Sequence, residues 1–140
     1  MTLRTASAEE TVAAGEQIAR GLRAPRVVLL IGDLGAGKTT LAKGLIRGLG
    51  AGQPEDVLSP TFALMHEFGE APKVYHLDLY RLDRLPELET LGLDDLWDEE
   101  AIVLIEWGEK FAAQLPRPRL EIRLRQVGDE EREIELTDVD

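Results

Sequence analysis

The stretch that decides the fold is VVLLIGDLGAGKTTLAKGL, Val27–Leu45, in which an apolar run meets a glycine-rich turn and then a helical pattern. The run RVVLLI is rich in β-branched and apolar residues, which predicts a buried strand covered on both faces, as parallel strands are. The segment KTTLAKGLIRGLG predicts a helix that ends at Gly48 or Gly50, since glycine commonly terminates helices. Between them, Gly32–Thr39 fits the pattern G-x-x-x-x-G-K-[ST], in the strand-to-helix position that a phosphate-binding P-loop requires.

The glycines of this turn allow backbone angles that are closed to other residues, and they leave room for a phosphate beside the main chain. Successive N–H groups then point into one concavity, and the start of the following helix adds its positive end. We expect Lys38 to reach the β- and γ-phosphates of a nucleoside triphosphate, Thr39 to bind Mg²⁺ and Thr40 to bond an α-phosphate oxygen. The alternative is a purely structural turn with an exposed lysine. The predicted nucleotide-binding residues of the turn are Gly32, Leu34, Gly35, Ala36, Gly37, Lys38, Thr39 and Thr40.

Two acidic residues end apolar runs further along the chain. Asp78 lies in VYHLDLYRL and Glu106 follows AIVLI. The carboxyl ends of parallel strands line the ligand crevice of such sheets, so both acids are candidates to hold Mg²⁺ and to orient an attacking water. His76 and Tyr80 share a strand face with Asp78 by the period of two. Whether His76 is functional or packs at a sheet edge stays open.

The segment SPTF contains a candidate switch residue. Thr61 follows the P-loop helix, in the region where GTPases carry a threonine that senses the γ-phosphate through Mg²⁺. The alternative is a Ser-Pro turn that leads into the strand TFALMHEF. Arg81 can pair either with a phosphate or with a nearby acid, and the sequence does not decide between these.

The remaining patterns complete an α/β arrangement. Ser7 and Glu10 form a capping box at the start of a helix of about four turns, SAEETVAAGEQIARGL. TFALMHEF and KVYHLDLY predict strands joined by a hairpin at GEAP, and AIVLIE predicts another strand. PELETLGLDDLWDEE predicts one or two short helices, and GEKFAAQL a further short helix. RLEIRLRQV and REIELTDV alternate apolar and polar residues, which predicts an antiparallel hairpin.

We therefore predict a P-loop NTPase fold: a mixed, mostly parallel central sheet flanked by helices, with a C-terminal β-hairpin. The length of 140 residues and the absence of any linker predict a single domain over residues 1–140.

Composition excludes several classes of protein. The chain has no cysteine, which excludes disulfides and thiolate metal sites and fits a cytoplasmic location. No run approaches the roughly 18 apolar residues of a membrane span, and the N-terminus has no apolar signal core. The net charge of −11 disfavours binding of DNA or of tRNA by the chain alone. The one basic cluster is expected to be a solvated strand face; it comprises Arg117, Arg119, Arg123 and Arg125.

The P-loop pattern by itself does not identify the reaction. No N/T-K-x-D sequence is present, and its absence argues against a GTPase. The region after Glu106 lacks the basic lid that small-molecule kinases usually carry, since it holds only Lys110 before Arg117. An ATPase, a small-molecule kinase and a nucleotide-dependent interaction module with incidental hydrolysis remain as alternatives.

Four segments taken together are more specific. GDLGAGKTT, SPTF, HLDLYRL and IEW occur in this order and with similar spacing in the TsaE family, also called YjeE-type ATPases. The sequence closely resembles that family over nearly its whole length, from the EET of the first helix to the late pattern R-x-I-x-L that starts at Arg132.

The resemblance implies a cytoplasmic, Mg²⁺-dependent ATPase needed to make threonylcarbamoyladenosine next to the anticodon of tRNAs. It implies action on the TsaD–TsaB transferase complex, contact with tRNA only through that complex, and weak turnover without partners. By the family pattern Thr39 and Glu106 bind Mg²⁺, and Asp78 is the Walker-B-like acid. Thr61 is then the switch-like residue, and Arg132 lies beside the adenine. Trp107 either shapes the site or packs as a core aromatic.

Overall fold

The centre of the molecule is a sheet of seven strands, in a computed structural model that describes residues 1–57 and 65–140. The strands are β1 (Thr2–Thr5), β2 (Arg26–Ile31), β3 (Met65–Phe68), β4 (Lys73–Asp78), β5 (Ala101–Glu106), β6 (Arg119–Gln126) and β7 (Arg132–Val139). Their order across the sheet is β1-β7-β6-β2-β5-β4-β3. The four central strands β6, β2, β5 and β4 are parallel, whereas β3, β7 and β1 add antiparallel pairs. The predicted mixed sheet with a C-terminal hairpin is confirmed.

Helices cover both faces of this sheet. They are α1 (Ala8–Ala19), α2 (Lys38–Gly48), α3 (Leu85–Glu89) and α4 (Asp94–Trp97), with 3₁₀ turns at Pro54–Asp56 and Glu109–Gln114. The Ser7 hydroxyl accepts from the N–H of Glu10 at 3.1 Å, so the predicted N-terminal cap of α1 is confirmed. The prediction that this helix runs on to Leu22 is wrong, because α1 ends at Ala19. The short helix predicted in GEKFAAQL is a 3₁₀ helix, Glu109–Gln114.

The edge strand β1 was not predicted from the sequence. The residues of β1, TLRT, show little apolar alternation, and they are ordered by antiparallel pairing with β7 more than a hundred residues away. Next to the opposite edge strand, β4 ends at Asp78, so the prediction that this strand continues to Tyr80 is wrong. The predicted hairpin between β3 and β4 is confirmed.

Two apolar clusters pack on opposite faces of the sheet. One lies between the sheet and the pair α1 and α2, and includes Leu30, Leu41 and Leu104. The other lies beneath α3, α4 and the second 3₁₀ turn, and includes Leu29 and Ile105. Alternate residues of β2 and β5 enter opposite clusters, because successive side chains of a strand point to opposite faces. Burial on both faces is what the continuous apolar runs predicted.

Glycines bring α1 and α2 into close contact. A Cβ built on Gly15 would lie 2.6 Å from the carbonyl oxygen of Leu41, and one on Gly44 would lie 2.0 Å from that of Val12. Both distances are too short for a side chain, so the two backbones touch directly. This contact fixes α2, and therefore the position of Lys38 at its first turn.

Two of the predictions made from the sequence concern residues that the structure does not describe. The predicted switch segment SPTF with Thr61 lies outside residues 1–57 and 65–140, as does the first half of the predicted strand TFALMHEF. Within the described residues, no helix is long and apolar enough to cross a membrane.

Candidate functional site

The turn between β2 and α2 has the geometry of an anion cradle. Gly35 and Gly37 adopt φ angles of 82° and 102°, in the left-handed region that favours glycine. Gly37 is the N-cap of α2, and no side chain caps the helix there. The first N–H groups of a helix have no partner within it, and together with the helix dipole they attract anions. An 11-residue helix therefore presents an uncapped, positive N-terminus at this turn.

The C-terminal hairpin supports the turn from one side. A Cβ on Gly32 would lie 2.8 Å from the carbonyl oxygen of Leu124 on β6, so β6 runs directly against the turn. Arg132 of β7 donates from Nη2 to the carbonyl oxygen of Gly35 at 3.3 Å. Its Nη1 lies within hydrogen-bond distance of three carbonyl oxygens of the β6–β7 connection, those of Gly128, Asp129 and Glu131. The hairpin and the P-loop are thus tied together by one guanidinium.

A cavity of about 610 Å³ opens between the turn and the hairpin. Its lining residues are Asp33, Leu34, Ala36, Leu124, Arg125, Gln126 and Gly128. The Leu34 side chain is 78% exposed, so this cavity has an apolar surface available next to the glycine turn.

Lys38 is buried and folded back onto the turn. The residue is 4% exposed, and its Nζ donates to the carbonyl oxygen of Gly32 at 2.6 Å. The same Nζ lies 3.1 Å from the centroid of the Trp107 ring, which is a cation–π contact. Burial lowers the pKa of the Lys38 ammonium, and the attraction of nearby acids opposes that shift; these are Glu109, Glu106, Asp78 and Asp33.

Asp78 and Glu106 lie together at the carboxyl ends of β4 and β5. They are register partners in the parallel pair, and both are more than nine-tenths buried. The N–H of Leu79 donates to the carbonyl oxygen of Glu106 at 3.0 Å, which keeps the two strand ends joined. The Asp78 carboxylate accepts from the N–H of Tyr80 at 2.9 Å. An aspartate bonded to the backbone two residues on forms a turn, which explains why β4 stops here.

Glu106 is the centre of a buried polar cluster. The Thr39 hydroxyl lies 3.0 Å from each of its carboxylate oxygens. His76 Nε2 lies 2.5 Å from Oε2 of the same carboxylate. His76 itself is fully buried, and its Nδ1 has no hydrogen-bond partner among the described residues. The first turn of α2 and two parallel strands therefore bring Thr39, His76 and Glu106 into one cluster beside Lys38.

The family assignment follows from comparison with known proteins. A family model described as "Threonylcarbamoyl adenosine biosynthesis protein TsaE" matches residues 5–134. The chain belongs to the TsaE family. A tRNA threonylcarbamoyladenosine biosynthesis protein TsaE of Bacillus subtilis (strain 168) is 42% identical over 137 residues, which is 97% of this chain and 84% of the relative. The TsaE protein of Treponema pallidum is 39% identical over 128 residues, which is 91% of this chain and 93% of that one.

A solved structure of the same kind agrees in fold. The crystal structure of Bacillus subtilis YdiB superposes with a TM-score of 0.81 at 35% sequence identity, covering 100% of this chain and 86% of that one. The proteins of the TsaE family take part in tRNA threonylcarbamoyladenosine biosynthesis. This chain shares the fold of the YdiB structure.

The structure brings together most of the residues predicted for the site. Lys38, Thr39 and the glycine turn lie beside Asp78 and Glu106, and Arg132 contacts the turn at Gly35. Tyr80 departs from the prediction that it shares a strand face with His76, because it lies beyond the end of β4. It is 53% exposed, and its ring packs on Trp107 with centroids 4.9 Å apart.

Arg119 also differs from its prediction as part of a solvated strand face. Arg119 is buried, donating from Nε to Glu121 at 2.8 Å and from Nη1 to the carbonyl oxygen of Ala112 at 3.0 Å. The solvated-face prediction is therefore wrong for Arg119, whereas Arg117, Arg123 and Arg125 are exposed.

Trp107 and His76 have contacts that the sequence left undecided. Trp107 has a φ of 61°, and this left-handed backbone follows directly after Glu106 and carries the ring to Lys38. The strand alternation placed His76 on the face of Asp78 but gave no sign of its contact with Glu106. Among residues 1–57 and 65–140 no three His, Cys, Asp or Glu side chains form a metal-binding group. The Thr39 hydroxyl and the Glu106 carboxylate are hydrogen-bonded to each other, and the carboxylates of Asp78 and Asp33 also act on Lys38 beside them.

Proposed function

We propose that this member of the TsaE family is a Mg²⁺-dependent ATPase that supports threonylcarbamoyladenosine formation in tRNA by acting on the TsaD–TsaB complex. The observation that carries the proposal is the contact between Thr39 and Glu106 at 3.0 Å, next to the uncapped start of α2. A hydroxyl and a carboxylate are hard oxygen donors, and they meet where the helix N-terminus attracts phosphate.

The P-loop residues supply binding and charge. The N–H groups of the glycine turn and of the first turn of α2 bond the phosphate oxygens. Lys38 exchanges its contacts with Gly32 and Trp107 for the β- and γ-phosphates, and it stabilises the charge that develops during cleavage. The apolar Leu34 and the guanidinium of Arg125 line the cavity beside the turn, and Arg132 contacts the turn at Gly35, an arrangement that suits the adenosine end of ATP.

The donor set at the strand ends fits Mg²⁺. Thr39 and Glu106 would hold the ion, with Asp78 as the adjacent acid, and oxygen ligands of this type are those that Mg²⁺ prefers. When bound, the ion neutralises phosphate charge and orients the phosphates. Asp78 then orients and polarises the attacking water. Thr61 stays a prediction as the γ-phosphate sensor.

The role in tRNA modification is supported by the family and by charge. The family takes part in threonylcarbamoyladenosine biosynthesis. A net charge of −11 disfavours direct tRNA binding, so the partner complex would supply the basic surface. We further propose that residues 1–140 form one domain, that the protein works in the cytoplasm, and that its turnover is weak without partners.

The proposal is tested by association with the partner complex on each nucleotide. Purified chain is mixed with TsaD–TsaB in the presence of ATP, ADP, a non-hydrolysable ATP analogue or no nucleotide, and the bound fraction is measured. We expect the bound fraction to depend on which nucleotide is present. Equal association under all four conditions would contradict a nucleotide-driven role.

The alternatives give different results with the same material. A small-molecule kinase would transfer the γ-phosphate to an added acceptor instead of releasing it. A nucleotide-dependent interaction module would retain full partner function in Asp78→Asn after turnover is lost. The ATPase proposal expects that variant to lose both.

A further inference from the structure

We propose that His76 is a positioning residue for Glu106, holding its carboxylate in the orientation in which it meets Thr39. The inference rests on the proposed function, because Glu106 matters as a metal ligand only if the site holds Mg²⁺ and nucleotide. The link of His76 to the site is the hydrogen bond to Glu106, so it would act on the metal and the nucleotide through that carboxylate.

The register of β4 and β5 places the imidazole of His76 next to the carboxylate of Glu106. His76 pairs with Leu104 on β5, and Glu106 lies two residues further along the same strand and on the same face. Such diagonal neighbours on one face are within reach of a long side chain. Nε2 accordingly lies 2.5 Å from Oε2 of Glu106, a short distance for an N–H donor and a carboxylate.

The contact with Glu106 assigns a proton to Nε2 of His76. A carboxylate accepts hydrogen bonds from the groups around it, as Glu106 does from Thr39, so we take Nε2 as the donor. Nδ1 is buried and has no hydrogen-bond partner among the residues that the structure describes. The contact with Glu106 is therefore the hydrogen bond that the described residues offer to this imidazole.

Burial argues against a packing role for this side chain. His76 is 0% exposed, and its strand neighbours on the same face include Val74, which belongs to the apolar cluster under α2. A buried nitrogen without a partner is destabilising, and an apolar side chain of similar size would avoid that cost. The N–H directed at Glu106 is what a leucine or methionine at this position could not supply. Outer partners of this kind orient the ligands of metal sites.

The test compares two substitutions of similar length. His76→Met removes the donor, whereas His76→Gln places an amide N–H where Nε2 lies. The affinity for ATP is measured by titration calorimetry with Mg²⁺ and again with EDTA. We expect His76→Met to lose about 10- to 100-fold in affinity with Mg²⁺ and little with EDTA, the range found for outer partners of metal ligands. We expect His76→Gln to recover most of that loss.

Tyr75→Phe is the matched control. Tyr75 is the preceding residue of β4 on the opposite face, and its hydroxyl donates to Glu99 at 2.8 Å. Removal of that bond perturbs the same strand without contacting the site, so the difference between affinities with Mg²⁺ and EDTA should stay as in the wild type. If His76→Met fails to fold, His76→Asn takes its place, because its amide is too short to reach the position of Nε2.

A second readout needs neither metal nor nucleotide. The chain has two histidines, so ¹⁵N NMR of the nucleotide-free protein, with His66→Gln for assignment, identifies the tautomer of His76. We expect the proton on Nε2, and a proton on Nδ1 alone would overturn the inference.

The outcomes separate this inference from the function on which it rests. Wild-type protein with no Mg²⁺-dependent ATP binding overturns both. Mg²⁺-dependent binding that survives unchanged in His76→Met, or that falls equally with EDTA, overturns the positioning role alone. If both variants fold and His76→Gln binds ATP with Mg²⁺ no more tightly than His76→Met, the positioning role is also overturned.

Discussion

Asp78 and Glu106 face each other as register partners at the carboxyl ends of two adjacent parallel strands. Both carboxylates are buried, and that of Glu106 is hydrogen-bonded to the side chains of Thr39 and His76. Two acids held this closely beside a helix N-terminus can divide their work, one binding a cation and the other orienting water.

Glu106→Gln and Asp78→Asn should have different effects. Glu106→Gln removes charge next to Thr39, so we expect it to weaken Mg²⁺-dependent ATP binding by about 10- to 100-fold, as the loss of a charge-assisted contact does. Asp78→Asn should bind ATP nearly as tightly and lose about 100-fold or more in turnover, as the loss of a group that polarises water does. Calorimetry and steady-state kinetics on both variants measure the two effects. Identical losses of affinity in the two variants would contradict the division.

Lys38→Met should weaken ATP binding and stabilise the nucleotide-free protein. The ammonium contributes hydrogen bonds to phosphate worth about 1.5–3 kcal/mol, so affinity should fall by roughly 10- to 150-fold. Burial lowers the pKa of Lys38 below its usual 10.5, so the folded state disfavours the charged form. The methionine variant should therefore unfold at a higher denaturant concentration near neutral pH.

The stabilisation by Lys38→Met should depend on pH in a defined direction. Between the lowered pKa and 10.5 the unfolded chain binds more protons at this residue than the folded one, so the wild type gains stability as pH rises there. The advantage of the variant is then full at neutral pH and shrinks as pH approaches 10.5. Lys73→Met is the control, since Lys73 is only partly buried and its ammonium lies 3.6 Å from the Glu67 carboxylate and 6.0 Å from the centroid of the Tyr75 ring. An advantage that grows with pH would contradict the account.

Arg132→Met should loosen the P-loop without affecting the metal. The guanidinium links Gly35 to the β6–β7 connection through hydrogen bonds to carbonyl oxygens. We expect a loss of about 1–2 kcal/mol in the free energy of unfolding. Affinity for ATP should fall equally with Mg²⁺ and with EDTA. Arg4→Met serves as control, because Arg4 is exposed and its ion pair with Glu133 should contribute less than about 1 kcal/mol.

Gly44→Ala should destabilise the protein through the contact between α1 and α2. An added Cβ would lie 2.0 Å from the carbonyl oxygen of Val12, so the helices must separate, at a cost of about 3 kcal/mol. Helix propensity alone would predict the opposite sign, since alanine favours a helix over glycine by about 1 kcal/mol. Gly21→Ala is the control, because the nearest described atom that its Cβ would meet is the carbonyl oxygen of Ile18, at an ordinary contact distance of 3.7 Å. Denaturant unfolding of both variants decides the sign.

Local patterns were enough to predict the P-loop and the candidate acids. The turn from Gly32 to Thr39 is a contiguous motif whose flanking strand and helix follow from apolar periodicity. The convergence of Asp78 and Glu106 follows from the general rule that the ends of parallel strands meet at one edge of a sheet. The P-loop depends on a short contiguous stretch, and the meeting of the two acids depends on the parallel arrangement of their strands. Both can be predicted from one sequence.

The parts that were missed depend on contacts between distant residues. Strand β1 is fixed by pairing with β7, and Arg132 reaches a carbonyl 97 positions earlier in the chain. The end of β4 depends on the hydrogen bond that the Asp78 carboxylate accepts from the N–H of Tyr80, which alternation of apolar residues cannot indicate. The contact of Lys38 with Trp107 needs a left-handed residue after a strand, and nothing in the local sequence requires one.

The release of phosphate from ATP, measured with wild type and Lys38→Met in the presence of TsaD–TsaB, tests the central claim most directly. Each protein is assayed with Mg²⁺ and with EDTA. The amount of free phosphate is compared with the amount of phosphate transferred to an added acceptor. The account predicts Mg²⁺-dependent release of free phosphate by the wild type, increased by TsaD–TsaB and absent in Lys38→Met. Equal release by the two proteins, or release that is unchanged by EDTA, would contradict it.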